Sequence, residues 1–192
     1  MTTIYFIRHA EPDFNIHDDF SRPLTEKGQT NCALVTKFLR DKNIDAVLSS
    51  PYLRARDTVA PFAESTGLEI RTIGDFRERK VDDEWILSFE DFTKKQWADF
   101  TYKLPNGESL EEVRVRNISA LEGVLREFSG KTLAIGTHGT ALSVIAHHYD
   151  NTYGYEGFAE MKRIFSWVLK MEFSGNGDFV GMKKIDLFRA DR

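Results

Sequence analysis

The chain has 192 residues, of which 41% are hydrophobic and 29% charged, a composition that supports one packed core and excludes a chain disordered throughout. Thirty acidic against 26 basic residues give a net charge of −4, so no broad basic field can hold a nucleic-acid backbone, and a bound anion must be held by a local cluster. One cysteine, Cys32, excludes an internal disulfide. With no long apolar run and a start at Met1-Thr2-Thr3 that enters a strand pattern at once, the expectation is a cytoplasmic protein that meets neither membrane nor nucleic acid.

Ile4-Tyr5-Phe6-Ile7 is a short apolar run that stops at Arg8, the pattern of a strand buried on both faces of a parallel sheet. Residues 8–24 lack a period, contain Pro12 and Pro23, and read as a loop. Thr25 is placed to cap a helix reaching about Asp41, with Leu34, Val35, Phe38 and Leu39 on one face and Cys32 as a small buried residue. Asp45–Ser49 is a second strand. Ser50-Pro51 then supplies an N-cap and a first-turn proline for a helix running from Tyr52 towards Ser65 and stopping at Gly67. Pro61 lies inside that pattern, removes a backbone donor, and is expected to kink or shorten the helix. Leu68 to Ile73 is a third, weaker strand.

Residues 75–107 are rich in charge and aromatic rings and poor in periodicity, and are expected to form short helices of a lid or cap inserted in a single domain spanning 1–192. Pro105-Asn106-Gly107 is a turn, and Ser109-Leu110-Glu111-Glu112 is a capping box. The helix behind it carries Leu110, Val113, Leu121, Val124, Leu125 and Phe128 and closes at Gly130. Thr132–Gly136 is another buried strand, leading through Thr137-His138-Gly139 into a helix from about Thr140 to His148. Phe165, Trp167, Leu169, Met171 and Phe173 alternate with their neighbours as a strand, which Gly175-Asn176-Gly177-Asp178 turns into a last strand around Phe179–Ile185. The free edge of that hairpin is a candidate contact for a homodimer.

Strands alternating with helices imply an α/β three-layer sandwich, with a mostly parallel sheet covered on both faces and ligands bound beyond the carboxyl ends of the strands. Arg8-His9 follows the first strand, Arg54 opens the helix after the second, and His138 follows the fourth, so these groups can meet at one sheet edge. A phosphomonoester needs cations on its non-bridging oxygens, an in-line nucleophile and an acid for its leaving oxygen. Arginine forks and imidazoles supply the first two.

Arg8-His9-Ala10-Glu11 with Asn15 resembles the R-H-G-E-x-x-x-N signature of the histidine phosphatase superfamily, the phosphoglycerate-mutase-like proteins. In the same order along residues 4 to about 145, further stretches resemble that family's motifs. They are Leu24-Thr25 with Gly28, Ser50-Pro51 with Arg54-Ala55 and Thr58, Arg77-Glu78-Arg79, Gly107-Glu108-Ser109, and Thr137-His138-Gly139. The resemblance implies that His9 is phosphorylated, that Arg8, Arg54 and His138 hold the phosphate with Asn15 beside them, and that Glu78 protonates the leaving group and then activates water. It also implies a small phosphorylated substrate and neither metal nor cofactor. Ala10 stands where the family has glycine. The glycine-rich stretch that follows the acid in glycolytic mutases, and their long insertion, are missing, which favours hydrolysis over mutation.

Neighbouring residues have plainer readings. Arg56 points elsewhere, Ser21 and Glu11 shape the loop, His147-His148 cap a helix end, His17-Asp18-Asp19 is a solvated loop, and the aromatics of 85–100 form the lid's own core. No His, Cys or carboxylate spacing matches a zinc site. Two rival readings stand beside the phosphatase: a mutase built on the same core, and a binder that recognises a phosphorylated ligand without turning it over.

Overall fold

A computed structural model describes residues 1–188. Its centre is a six-stranded sheet in the order β3-β2-β4-β1-β5-β6. The strands are β1 (Thr2–Arg8), β2 (Ala46–Ser49), β3 (Ile70–Thr72), β4 (Thr132–Thr137), β5 (Val168–Phe173) and β6 (Phe179–Ile185). β1, β4, β2 and β3 are mutually parallel, while β5 and β6 are antiparallel, so the expected parallel sheet carries an antiparallel hairpin at one edge. Lys183 and Lys184 lie exposed on that edge strand, a placement that opposes pairing with another strand.

Alternation along β1 explains the layers. Ile4 and Phe6 join the core beneath α4 (Leu110–Glu127), α5 (Gly139–Tyr149) and α6 (Tyr155–Lys162). Tyr5 and Ile7 face the opposite way, into the core shared with α1 (Glu26–Leu39) and α2 (Leu53–Thr66). A strand buried on both faces must be apolar throughout, as residues 4–7 are. The segment between β3 and α4 holds one 3₁₀ turn, Gly74–Phe76, and one helix, α3 (Phe89–Ala98), where several short helices were expected.

Caps fix several boundaries. Thr25 accepts from Gly28 N, and Ser109 with Glu112 forms the full reciprocal box. α2 differs from expectation: it starts at Leu53 with Tyr52 as N-cap, and Ser50 Oγ accepts from Tyr52 N, outside the helix. Pro61 does not shorten α2, which runs on to Gly67 in the left-handed conformation. Two further corrections concern the C-terminal part. α6 had no counterpart in the hydrophobic pattern, and Phe165 and Trp167 lie before β5, because Ser166 at φ 57° turns the chain there.

Candidate active site

Register brings the histidines together. Arg8 of β1 lies opposite Thr137 of β4, and His9 N donates to Thr137 O, so the residues that follow both strands emerge side by side. The two rings stand 5.3 Å apart between centroids. β2 is paired to the other edge of β4, and Ser50 N donates to Gly136 O, which brings the start of α2 to the same end. This is the carboxyl edge of the parallel strands, where such sheets bind ligands.

His9 is 6% exposed, and its Nδ1 lies 2.7 Å from the carbonyl oxygen of Ala10. A carbonyl only accepts, so Nδ1 carries the proton and Nε2 carries a lone pair. Burial first, then the charges of Arg54 and Arg8, hold this imidazole well below the usual histidine range, so it remains neutral in mild acid. The Ala10 amide donates to Thr58 Oγ1 at 2.9 Å, and Thr58 Oγ1 donates to Arg54 O at 2.7 Å. One turn of α2 thus pins the backbone beside His9, a physical reason for threonine four residues after arginine. The Ala10 methyl packs inward against Leu24 and Cys32, so the departure from glycine is accommodated. Cys32, buried, donates to Gly28 O and has its thiol pushed up to about 11 by burial.

His138 is fully buried, with Nε2 2.7 Å from Ser50 Oγ, while Nδ1 has no protein partner. Burial, Arg54 and His9 hold it too well below the histidine range. Ser50 Oγ already accepts from Tyr52 N; when its own proton goes to His138 Nε2, Nδ1 is left as a donor free for an anion.

Arg8 is anchored where no strand or helix pattern hinted. Its Nη1 donates to the carbonyls of Met161, Lys162 and Ile164, at the negative end of α6, and its guanidinium lies over the Phe165 ring. Burial pulls it down to about 10, which leaves it charged at neutral pH, and its Nε has no protein partner. Arg54, also buried, donates from Nη1 to Asp19 O at 2.6 Å and pairs through Nη2 with Asp19 Oδ1 at 3.2 Å. Arg22 completes this arrangement. It is buried, donates to Ile16 O, His17 O and Asp19 Oδ1, and adds to the charges that lower His9. Asp19 is therefore a partly exposed carboxylate shared by two buried arginines. The spacing of residues 15–23 carries no sign of either Asp19 or Arg22, because their pairing is made by the fold of the loop.

Glu78 sits at the first turn of α5. Its Oε1 accepts from Arg79 N and Ala141 N, and its Oε2 from Thr140 N. A methyl placed on Gly139 would lie 3.5 Å from Arg8 Nε and 3.8 Å from Glu78 Oε2, so the arginine, the helix start and the carboxyl crowd together. Asp82 and Glu84 are not part of this junction, and Asp83 pairs with Lys80.

Arg8, His9, Arg54, Glu78 and His138 are thus gathered at one edge. Asn15 is not brought into that cluster. It is exposed, with both its backbone N and its Nδ2 donating to Asp13 Oδ1, because Asp13 begins a tight turn that uses the amide locally. Ser21 Oγ donates to Asp18, Glu11 accepts from Thr25 and Lys27, and Arg56 is exposed, all as surface or loop-shaping residues. His147 bonds Tyr153 O, and His148 contacts Arg114. Among the described residues no group of three His, Cys, Asp or Glu side chains is arranged to hold a metal ion, and no helix is long and apolar enough to cross a membrane.

Chemically, this edge offers a neutral imidazole nitrogen with a lone pair, guanidinium donors beside it, a second imidazole and a carboxyl held by backbone amides. Residues 4–164 match the family model of the histidine phosphatase superfamily (branch 1). An uncharacterized phosphatase of Bacillus subtilis, PhoE, is 30% identical over 149 residues, 76% of each chain. A probable phosphoglycerate mutase of Serratia proteamaculans, GpmB, is 30% identical over 159 residues, 76% of this chain and 73% of the relative. Among solved structures, phosphoserine phosphatase of Entamoeba histolytica in complex with 3-phosphoglyceric acid superposes with a TM-score of 0.78 at 20% identity, covering 97% of this chain and 99% of the other.

Proposed function

Because this chain belongs to the histidine phosphatase superfamily, we propose that it hydrolyses a small phosphomonoester through a phosphohistidine on His9, without a metal ion. The observation that carries this reading is the His9 Nδ1 bond to Ala10 O, which leaves Nε2 unprotonated next to two buried guanidinium groups. In the first step Nε2 forms a bond to phosphorus, the bond from phosphorus to the leaving oxygen breaks, and protonated Glu78 gives that oxygen its proton. In the second, water attacks the phosphorus, ionised Glu78 takes the water's proton, the N–P bond breaks, and His9 returns to its neutral form. Arg8, Arg54 and His138 hold the non-bridging oxygens throughout, and the arginine charges do the work a metal does elsewhere. The family's relatives include a probable mutase, and the same site serves that reaction if the phosphohistidine outlasts its exposure to water. Against it stands the lid's acidic excess, with Asp82, Glu84 and Asp91 beside the paired Asp83 and Glu90, which repels a doubly phosphorylated intermediate. The test is phosphorus NMR of the protein with 3-phosphoglycerate and a trace of 2,3-bisphosphoglycerate, with and without EDTA. Inorganic phosphate forming faster than 2-phosphoglycerate, unaffected by chelation, is the expected result; rapid isomerisation, or activity lost to EDTA and restored by magnesium, overturns it.

A further inference from the structure

Among the described residues, six of the ten exposed large apolar side chains fall in two short segments: Phe14, Ile16, Phe20, Trp85, Leu87 and Phe89. Exposed apolar surface gathered in one place marks a binding surface, whereas scattered single residues do not. The first segment is linked to the histidines through rings, and the second is joined to the first. From His9 the contacts run to Phe165, 6.1 Å between centroids, and on to Phe14 at 6.4 Å. From His138 they run to Tyr52 at 5.2 Å and on to Phe20 at 6.0 Å. Phe14 and Phe20, 53% and 60% exposed, therefore end two aromatic paths that start at the reacting centre and finish on one loop. Trp85, 53% exposed, comes from the other segment and stacks on His17 of that loop at 4.4 Å and 11°. The Arg22 guanidinium lies 5.5 Å from the Trp85 ring and 5.9 Å from the Phe14 ring, which joins the two segments.

The cations around these segments are already engaged, save Arg163, which is exposed near Phe165 and faces the charge of Glu90. Arg22 is spent on two carbonyls and Asp19, Arg77 on Asp75 and Glu108, and Lys80 on Asp83. Arg79 is buried against Gln96, Phe89 and Phe92, and Lys162 lies against the Phe89 ring beside Glu90. A second anionic group on a substrate meets acidic residues and partnered bases there, whereas a flat apolar group meets rings. We infer that the alcohol part of the substrate is aromatic, seated on Phe14, Phe20, Phe165 and Trp85, with its phosphate on the arginines. This inference rests on the phosphatase reading above.

The test compares kcat/KM for 2-phenylethyl phosphate, ethyl phosphate and 3-phosphoglycerate. The first two release alcohols of similar basicity, so their difference reports contacts with the alcohol and not leaving-group chemistry. The phenylethyl ester is expected to exceed the ethyl ester by about tenfold, the size of one well-seated ring contact. In the doubly substituted Phe14→Ala, Trp85→Ala protein, with its fold checked by circular dichroism, that ratio is expected to fall below about threefold, since the same ring contact is gone. A ratio near one in the wild type, a preference for 3-phosphoglycerate, or a preference that survives the double substitution overturns the inference and leaves the phosphatase reading standing. No turnover of any of the three esters defeats the phosphatase reading and this inference with it.

Discussion

At His9 a single backbone carbonyl decides which nitrogen keeps its lone pair, because Nδ1 can only donate to it. Burial then keeps both His9 and His138 neutral, which has a thermodynamic consequence. In the unfolded chain each imidazole takes up a proton as the pH falls through about 6.5, while the folded protein resists doing so until well below that value. The unfolded state therefore binds more protons in this window, and stability is lost as the pH falls. From pH 7.0 to 5.5 the loss for the pair is expected to be about 2.5 kcal/mol. Urea unfolding at the two pH values measures it, and the His9→Asn, His138→Asn protein should lose much less over the same interval. Equal losses in both proteins would show that these histidines are not buried as neutral groups. Charged residues placed after strands or at a helix start made Arg8, His9, Arg54 and His138 visible in the primary structure, whereas Glu78 was chosen over its acidic neighbours by the resemblance of Arg77-Glu78-Arg79 to a family motif. Arg22 was not singled out, and Asp19, Ser50 and Phe165 were read as loop, cap and strand residues, because their partners at the site are supplied by the folding of the chain and not by spacing.

At the scale of elements, the segment carrying Glu78 is held by α4. Arg116 donates from Nε and Nη2 to the two oxygens of Glu108 and from its terminal nitrogens to the carbonyls of Asp75, Arg77 and Glu78. Glu108 also accepts from Lys80 N, and a methyl on Gly107 would meet Val81 O at 2.0 Å, so the Gly-Glu-Ser turn lies flat against this strip. Arg116 thus fixes the backbone of the segment that carries Glu78. Arg116→Met should lower single-turnover phosphorylation by an alkyl phosphate by about tenfold, a fraction of what a general acid supplies, and leave an activated aryl phosphate, which needs little protonation, much closer to wild type. Equal losses with both esters would assign Arg116 a structural role alone. The same strip shows why residues 75–107 resisted reading: its order comes from arginines bonding carbonyls, which leaves no hydrophobic period. α6 was hidden for a related reason. It is short, has Gly157 inside it, and buries only Phe158 and Met161, yet its last carbonyls hold Arg8. At the L-T-x-x-G stretch the cause is contact: a methyl on Gly28 would meet Glu11 O at 2.2 Å, so α1 can approach the loop after His9 only with glycine there.

Over the whole molecule, apolar runs at residues 4–7, 46–48 and 133–135 made the parallel part of the sheet legible, since strands buried on both faces must be apolar. The antiparallel edge was legible as a hairpin, but its start was not, because the turn at Ser166 interrupts an alternation that continues unbroken in the residue types. What no pattern conveyed is how closed the site is: His9, His138, Arg8 and Arg54 are all buried, under a loop latched by Asp19. If Arg54 takes the phosphate as proposed, Asp19 must give it up. The proposed hydrolysis turns on His9 as the group that takes the phosphoryl. The most direct measurement mixes the protein with a phosphomonoester, quenches in alkali within one turnover, and locates the phosphate by tandem mass spectrometry. Phosphate on His9, lost on brief exposure to acid, is the result expected; phosphate on His138 or any other residue, or none in a protein that is turning over, contradicts the account.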